Sequence, residues 1–195
     1  MPSLNSLLRE IRACTLCEAH LPLGPSPVLS AAQNSRILLI GQAPGKKVHL
    51  SGIPWDDASG DRLREWLGLS REPFYDSAVL ALVPMGFCYP GTGKSGDLPP
   101  RTECREQWHG KLLSHLAEVR LTLLVGQYAQ AAYLGEQRRA TLTETVRAWR
   151  DYAPGRFPLP HPSPRNNIWL KKNPWFSEDL LPELRQAVAA ALTQS

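Results

Sequence analysis

"RILLIGQAPG", residues 36–45, joins a short apolar run to a turn that contains glycine and proline. Consecutive apolar residues that end at a glycine are typical of a strand buried on both faces, as parallel strands are. Similar runs recur at 77–84, at 121–126 and just before His161, with helical patterns between them. This alternation predicts an α/β fold, a three-layer sandwich in which helices flank a short, mainly parallel four-stranded sheet.

The helical patterns have recognisable ends. Ser3 is a suitable cap for the first helix, whose leucines and Ile11 recur at helical spacing, and Ser59 is a suitable cap for a helix that stops at Gly68. The helices are expected over 3–12, 59–68, about 102–118, 129–135, 141–150 and about 177–192.

Length and composition limit the class of protein. A chain of 195 residues, 43% of them hydrophobic, can bury one core, so we expect a single domain over residues 1–195. No run of about 18 apolar residues occurs, and the N-terminus lacks the apolar stretch of a signal peptide. The expected location is therefore intracellular and cytoplasmic, away from membranes.

Positive charge is modest in amount but uneven in placement. The net charge is +4 and the isoelectric point about 9.0. A partner that carries phosphates is compatible with this placement, and so is ordinary solubilising charge. Several of the clustered cations flank the unusual loops; the clusters are Lys46 with Lys47, Arg62 with Arg64, Arg138 with Arg139, and Arg165 with Lys171 and Lys172.

The unusual loops all follow strands. "GQAPGKKVH" comes after the first strand, "PMGFCYPG" after the second, "GQYAQ" after the third and "HPSPRNN" after the fourth. In parallel α/β sheets, ligands bind at the carboxyl ends of the strands. The four loops therefore predict one site at one edge of the sheet.

Two of these loops carry a resemblance. "GQAPG" (41–45) and "HPSPRN" (161–166) resemble the two signature motifs of the uracil-DNA glycosylase superfamily. The first is most similar to the iron–sulfur families four and five, the second to the single-strand-selective monofunctional glycosylases. The resemblance implies a monomeric, monofunctional enzyme of base excision repair. Such an enzyme flips a deaminated base out of DNA and hydrolyses its N-glycosidic bond, leaving an abasic site.

The first motif lacks its usual water-activating residue, because Ala43 stands where most families have Asp or Asn. Family five has an aspartate in a downstream D-A-S-G instead, and "WDDASG" (55–60) matches it with Asp57. The resemblance thus makes Asp57 catalytic, with Asp56 as its rival. Without the resemblance, Asp57 and Ser59 would be interpreted as helix caps.

The resemblance also implies roles for other residues of these motifs. His161 would donate a hydrogen bond to the departing base, as a donor in an oxyanion hole does. Gln42, Ala43 and Trp55 would contact the flipped base, although Trp55 is also compatible with a core position. DNA would be contacted by Ser163 and Arg165, the latter filling the gap left by the base. His49 is either near the sugar or a surface histidine.

Four cysteines form a second signal. Cys14 and Cys17 are a C-x2-C pair, and Cys88 and Cys104 are more widely spaced. In an intracellular protein a metal is favoured over disulfides, and spacing alone leaves zinc and iron–sulfur both open. The resemblance implies a structural 4Fe-4S cluster that ties the N-terminal segment, about residues 1–30, to the rest of the domain.

One departure bears on the substrate. Superfamily members usually have an asparagine at the second strand that reads uracil, and "DSAVLALVPMGFCYP" (76–90) has none. Either another group reads the base, such as the backbone around Met85 to Phe87, or uracil is not the preferred base. Two other classes therefore remain: a member of the fold that binds DNA without cleaving it, and an enzyme acting on free nucleosides or nucleotides.

Overall fold

The computed structural model describes residues 2–193 and contains the expected parallel sheet. Four strands lie in the order β2-β1-β5-β6, and every neighbouring pair is parallel. A separate antiparallel hairpin consists of β3 and β4, which the sequence did not predict. The strands are β1 (Ile37–Ile40), β2 (Leu80–Leu82), β3 (Thr92–Gly93), β4 (Gly96–Asp97), β5 (Leu121–Val125) and β6 (Arg156–Leu159).

Helices cover both faces of the sheet, so the three-layer α/β prediction is confirmed. Within residues 2–193, no helix is long and apolar enough to cross a membrane. π-helical turns at Arg105–His109 and Phe176–Leu180 lead into the sixth and tenth helices. The α-helices are α1 (Leu4–Arg12), α2 (Lys46–Ser51), α3 (Ala58–Leu67), α4 (Arg71–Tyr75), α5 (Thr102–Cys104), α6 (Gly110–Leu113), α7 (Gln127–Leu134), α8 (Leu142–Arg147), α9 (Asn167–Lys172) and α10 (Leu181–Thr193).

Strand β1 supplies both hydrophobic cores. Because side chains alternate along a strand, Ile37 and Leu39 pack on one face against α3, α4, α8 and α10. Leu38 and Ile40 pack on the other face against α1, α6 and α7. All four residues are buried, which explains why the apolar run is continuous rather than alternating.

Helix ends agree with the sequence at the first helix and differ at the third. Ser3 caps α1 by accepting a hydrogen bond from the Ser6 amide at 3.2 Å. The prediction that Ser59 caps α3 is wrong. Asp57 is the cap, because its backbone is still extended and its Oδ1 accepts from the Gly60 amide at 2.9 Å. Ser59 already lies inside the helix.

A close backbone contact fixes the turn that leads into α3. Trp55 has φ of 58°, the only positive value of a non-glycine residue among those described. Its carbonyl oxygen lies against the Cα of Gly60, where a Cβ atom would come within 1.7 Å of that oxygen. Only glycine fits at position 60, and the close approach fixes the path of the backbone at Trp55.

The substitution Gly60→Ala should therefore destabilise the protein by about 1–3 kcal/mol or more, since a backbone oxygen cannot move aside cheaply. Gly110 is the matched control, because it is helical and no atom lies within 4 Å of an added Cβ. Gly110→Ala should raise stability by about 0.4–1 kcal/mol. Urea unfolding of both variants measures the difference, and an equal effect from the two would contradict the proposed contact.

Candidate active site

A cavity of about 610 Å³ opens at the carboxyl edge of the sheet. Its wall comes from the segments after β1, β5 and β6, from the end of β2 (Leu82 and Pro84), from the turn before α3 and from the β3–β4 hairpin. This is the edge at which the parallel sheet predicts a ligand site. All seven residues predicted to be catalytic or to contact the base or DNA line this cavity: Gln42, Ala43, Trp55, Asp57, His161, Ser163 and Arg165.

The two neighbouring aspartates are placed differently. Asp57 lines the cavity and uses Oδ1 to cap α3, while its Oδ2 forms no hydrogen bond within residues 2–193. Asp56 is absent from the cavity wall and forms an ion pair with Arg71 at 3.2 Å. The capping and catalytic interpretations of Asp57 are thus compatible, because each uses a different oxygen of the same carboxylate.

His161 is held as a neutral donor. Its Nδ1 accepts a hydrogen bond from the Ser163 amide at 3.1 Å, which leaves the ring proton on Nε2. Burial lowers the pKa of His161 below its ordinary value, and the nearby charge of Asp57 offsets part of that effect. Asn166 fixes the main chain by donating from Nδ2 to the His161 carbonyl at 2.7 Å. The imidazole therefore offers an N–H to an acceptor without carrying a charge.

Trp55 belongs to both the cavity and the edge of the core. Its ring packs against the buried cluster on one side and lines the cavity on the other. The indole lies 5.6 Å from the His161 ring, centroid to centroid, at an angle of 31°. Gly41 allows this approach, since a Cβ there would come within 2.7 Å of the indole Cζ2. The result is a flat apolar surface next to the histidine.

The segment after His161 is partly helical rather than a simple loop. Pro164–Asn166 forms one 3-10 turn, capped by the Ser163 hydroxyl, which accepts from the Arg165 amide at 3.2 Å. Arg62, on α3, donates to the Ser163 carbonyl at 3.2 Å and so ties the segment to that helix. Sequence reasoning noted the charge of Arg62 but not this positioning role.

Arg165 reaches across the cavity to the β3–β4 hairpin. Its Nη1 donates to the Ser95 carbonyl at 2.9 Å and lies where a Cβ on Gly96 would be. Asp97, beside it, also lines the cavity, and burial raises the pKa of its carboxyl against the lowering effect of Arg165. No sequence pattern pointed to Asp97 as a residue of the cavity wall, because two-residue strands in a glycine-rich segment have no hydrophobic pattern.

The backbone amides at 85–87, one of the alternatives for reading a base, are already hydrogen-bonded within the protein. The Met85 and Gly86 amides donate to the carbonyls of Gly41 at 2.9 Å and Gln42 at 3.0 Å. The Phe87 amide donates to the sulfur of Cys104 at 3.5 Å. None of 85–87 lines the cavity. These donors instead attach the segment after β2 to the "GQAPG" loop and to the cysteines.

His49 lies on α2 and is not part of the cavity wall. Its ring is 6.1 Å from that of Tyr89, centroid to centroid, and its buried Nδ1 has no hydrogen-bond partner among residues 2–193. Neither interpretation of His49, near the sugar or on the open surface, describes this partly buried position.

The four cysteines lie around a second, smaller space that is separate from the cavity. All are free thiols, and all line one small enclosed space together with Leu21, Pro27, Phe87 and Arg101. Burial raises the pKa of Cys104 to about 12, and a bound metal would displace that proton. Among the described residues no His, Cys, Asp or Glu side chains converge closely enough to hold one metal ion. The all-thiol donor set, spread around one space, fits the wider body of a thiolate-bound cluster.

Comparison with known proteins agrees with this geometry. Residues 27–185 match the uracil DNA glycosylase superfamily. Over 87 residues the chain is 34% identical to the type-4 uracil-DNA glycosylase of Archaeoglobus fulgidus, an alignment that covers 43% of this chain and 44% of that protein. The superfamily match includes all four strands of the parallel sheet and both motif loops at its carboxyl edge. The chain therefore belongs to the uracil DNA glycosylase superfamily.

Proposed function

We propose that this protein is a monofunctional DNA glycosylase that removes a deaminated base and leaves an abasic site. The observation that carries the proposal is the pairing of an aspartate and a neutral histidine N–H in the wall of one cavity. The enzyme is proposed to act inside the cell as a monomer, with residues 1–195 as one domain. Similarity to a protein named as a type-4 uracil-DNA glycosylase supports the reaction class.

As the N-glycosidic bond breaks, positive charge develops on the sugar and negative charge on the departing base, and the enzyme must stabilise both. Water adds to C1′ of the sugar, the C1′–N bond breaks, and its electron pair leaves with the base. The Asp57 carboxylate orients the water, accepts its proton and stabilises the cationic sugar. The Nε2–H of His161 donates to a carbonyl oxygen of the base and stabilises the departing anion. No lysine lines the cavity among the described residues, which favours attack by water over a Schiff base.

The base must leave the duplex to reach this cavity. We assign the ring of Trp55 to stacking on the flipped base, with Gln42 and Ala43 also contacting it. Ser163 and Arg165 are assigned to DNA, Ser163 at a phosphate and Arg165 at the gap in the stack. Within residues 2–193, the one hydrogen bond of the Arg165 guanidinium is to the Ser95 carbonyl, so the guanidinium can exchange that acceptor for DNA.

The cysteines are assigned to a 4Fe-4S cluster, with zinc as the alternative. Four thiolates are the donor set of an iron–sulfur cluster, and all four thiols line one small space. Zinc, at about 2.3 Å from each sulfur, would use the same four donors. Cys14 and Cys17 would connect the segment after α1 to Cys88 and Cys104 near the site. The cluster's contribution is structural, because no cysteine lines the cavity where hydrolysis takes place.

A second candidate is a protein of this fold that binds a flipped base without cleaving it. The presence of Ala43 in the first motif and the apolar end of β2 favour it. Asp57 and His161 oppose it, because a binding protein has no need for a carboxylate beside the sugar.

Oligonucleotides that each contain one uracil, hypoxanthine, xanthine or hydroxymethyluracil distinguish the two candidates. After incubation, alkali cleaves the strand wherever a base has been removed. We expect excision of two or more deaminated bases, since this pocket lacks the asparagine that would reject all but one. Tight binding with no alkali-sensitive product from any substrate would favour the binding protein.

Asp57→Asn should reduce the excision rate about 10²- to 10⁴-fold, the usual contribution of acid–base groups. Asparagine caps helices as well as aspartate does, so α3 should remain folded. Asp56→Asn is the control, because it removes the same charge from the adjacent residue, which does not line the cavity. Single-turnover rates measure both, and similar losses in the two variants would remove the assignment of Asp57.

His161→Ala should slow excision about 10²- to 10³-fold, while His115→Ala, outside the cavity, should not. The pKa of His161 is lowered in the folded protein, so the unfolded chain binds the proton first as pH falls. Above the ordinary pKa of histidine, this difference in pKa leaves the free energy of unfolding unchanged. Below it, protonation of the unfolded chain lowers the free energy of unfolding. The acidic limb of the rate–pH profile should be less steep in His161→Ala than in the unaltered protein, because one ionisation is removed; an identical limb in the variant would contradict the assignment.

Protein purified without oxygen should be brown and contain about four iron atoms and four sulfides per chain. Cys88→Ser should lose iron and also fold poorly, because metal binding and folding are coupled. Metal and sulfide analysis tests this directly. One zinc ion per chain with no sulfide would establish the alternative metal.

A further inference from the structure

The end of β2 has no polar side chain to offer a base. From this strand and the residues just after it, only Leu82 and Pro84 line the cavity. The Pro84 carbonyl already accepts from Nε2 of the buried His109 at 2.9 Å. A base in the cavity must therefore be read from another part of the wall.

The end of β5 occupies a more central position. In the order β2-β1-β5-β6, the residues after β5 lie between the two motif loops, which follow β1 and β6. Gly126, with φ of 85°, turns the chain sharply from β5 into α7. The first two residues of α7, Gln127 and Tyr128, both line the cavity.

Neither of these side chains has a hydrogen-bond partner within residues 2–193. The Gln127 side chain is exposed, and the Tyr128 ring packs against the buried cluster on the α7 face of the sheet. Packing against this cluster restricts the tyrosine ring. Two residues of the cavity wall thus carry an amide and a phenol whose donors and acceptors form no hydrogen bond within residues 2–193.

Deaminated bases share one chemical pattern, a carbonyl next to a ring N–H. A side-chain amide matches it, since its NH₂ donates to the carbonyl while its oxygen accepts from the N–H. A phenol can donate or accept. Gln42 also lines the cavity, and its side-chain amide has no hydrogen-bond partner within residues 2–193. It follows Gly41, which lies against the ring of Trp55.

We propose that Gln127 and Tyr128 read the hydrogen-bonding edge of the flipped base, in place of the asparagine that β2 lacks. The identity of the ligand rests on the proposed function. No side chain holds the Gln127 amide in one orientation, so it can turn over and present its donor and acceptor in either order. This recognition accepts several lactam bases rather than one.

Binding in an Asp57→Asn background isolates contacts to the base, because excision slowed about 10²- to 10⁴-fold leaves the substrate intact during the measurement. The readout is the affinity for a duplex with uracil or hypoxanthine, divided by the affinity for the same duplex with a tetrahydrofuran abasic analogue. Gln127→Leu should reduce this preference about tenfold and Tyr128→Phe about threefold, the usual effect of lost hydrogen bonds. Affinity for the abasic duplex should not change.

Gln186→Leu is the matched control, since Gln186 is an exposed glutamine of α10 outside the cavity, and it should leave the preference unchanged. The inference is overturned if Gln127→Leu and Tyr128→Phe behave like this control, or if the background protein shows no preference for a base over the analogue. Failure of the proposed function is seen separately, as an absence of excision by the unaltered protein, while the binding ratio still reports on base reading.

Discussion

Strand β1 has neighbours on both edges and both faces, and the site is attached to its end. Its two hydrogen-bonded edges hold β2 and β5, and its alternating side chains enter both cores. The Gly41 and Gln42 carbonyls that follow it accept the amides of Met85 and Gly86. The first motif loop is therefore fixed by the most buried part of the sheet, and the wall of the cavity inherits that rigidity.

The residues around the cavity serve structure and chemistry together. Gly60 leaves room for the Trp55 carbonyl, and Gly41 leaves room for its ring, so two missing side chains place one aromatic surface. The amide of Ser163 sets the tautomer of His161, and Arg62 on α3 holds the carbonyl of the same serine. Helix α3 thus supports both the carboxylate and the imidazole sides of the site, although the two motifs are far apart in sequence.

Local pattern was sufficient for the sheet and for the location of the site. Apolar runs ending at glycine identified the strands, and the parallel topology brought their loops to one edge, with Asp57 and His161 among them. Local pattern could not decide between Asp57 and Ser59 as a cap, since both are good capping residues two positions apart. The hydrogen bonds donated by the amides of Met85 and Gly86 join distant segments of the chain, and no local signal encodes them. The same holds for the β3–β4 hairpin, which brings Asp97 to the cavity.

Asp57 caps a helix with one oxygen and also lines the cavity, and this double position has a genetic consequence. Asparagine is the replacement that retains the cap while removing the charge, so under the proposed function it yields a folded but inactive protein. An aspartate codon becomes an asparagine codon through one G-to-A transition. Under the proposed function, that transition is the scar of an unrepaired cytosine deamination on the opposite strand, so the gene is exposed to inactivation by the lesion its product would remove.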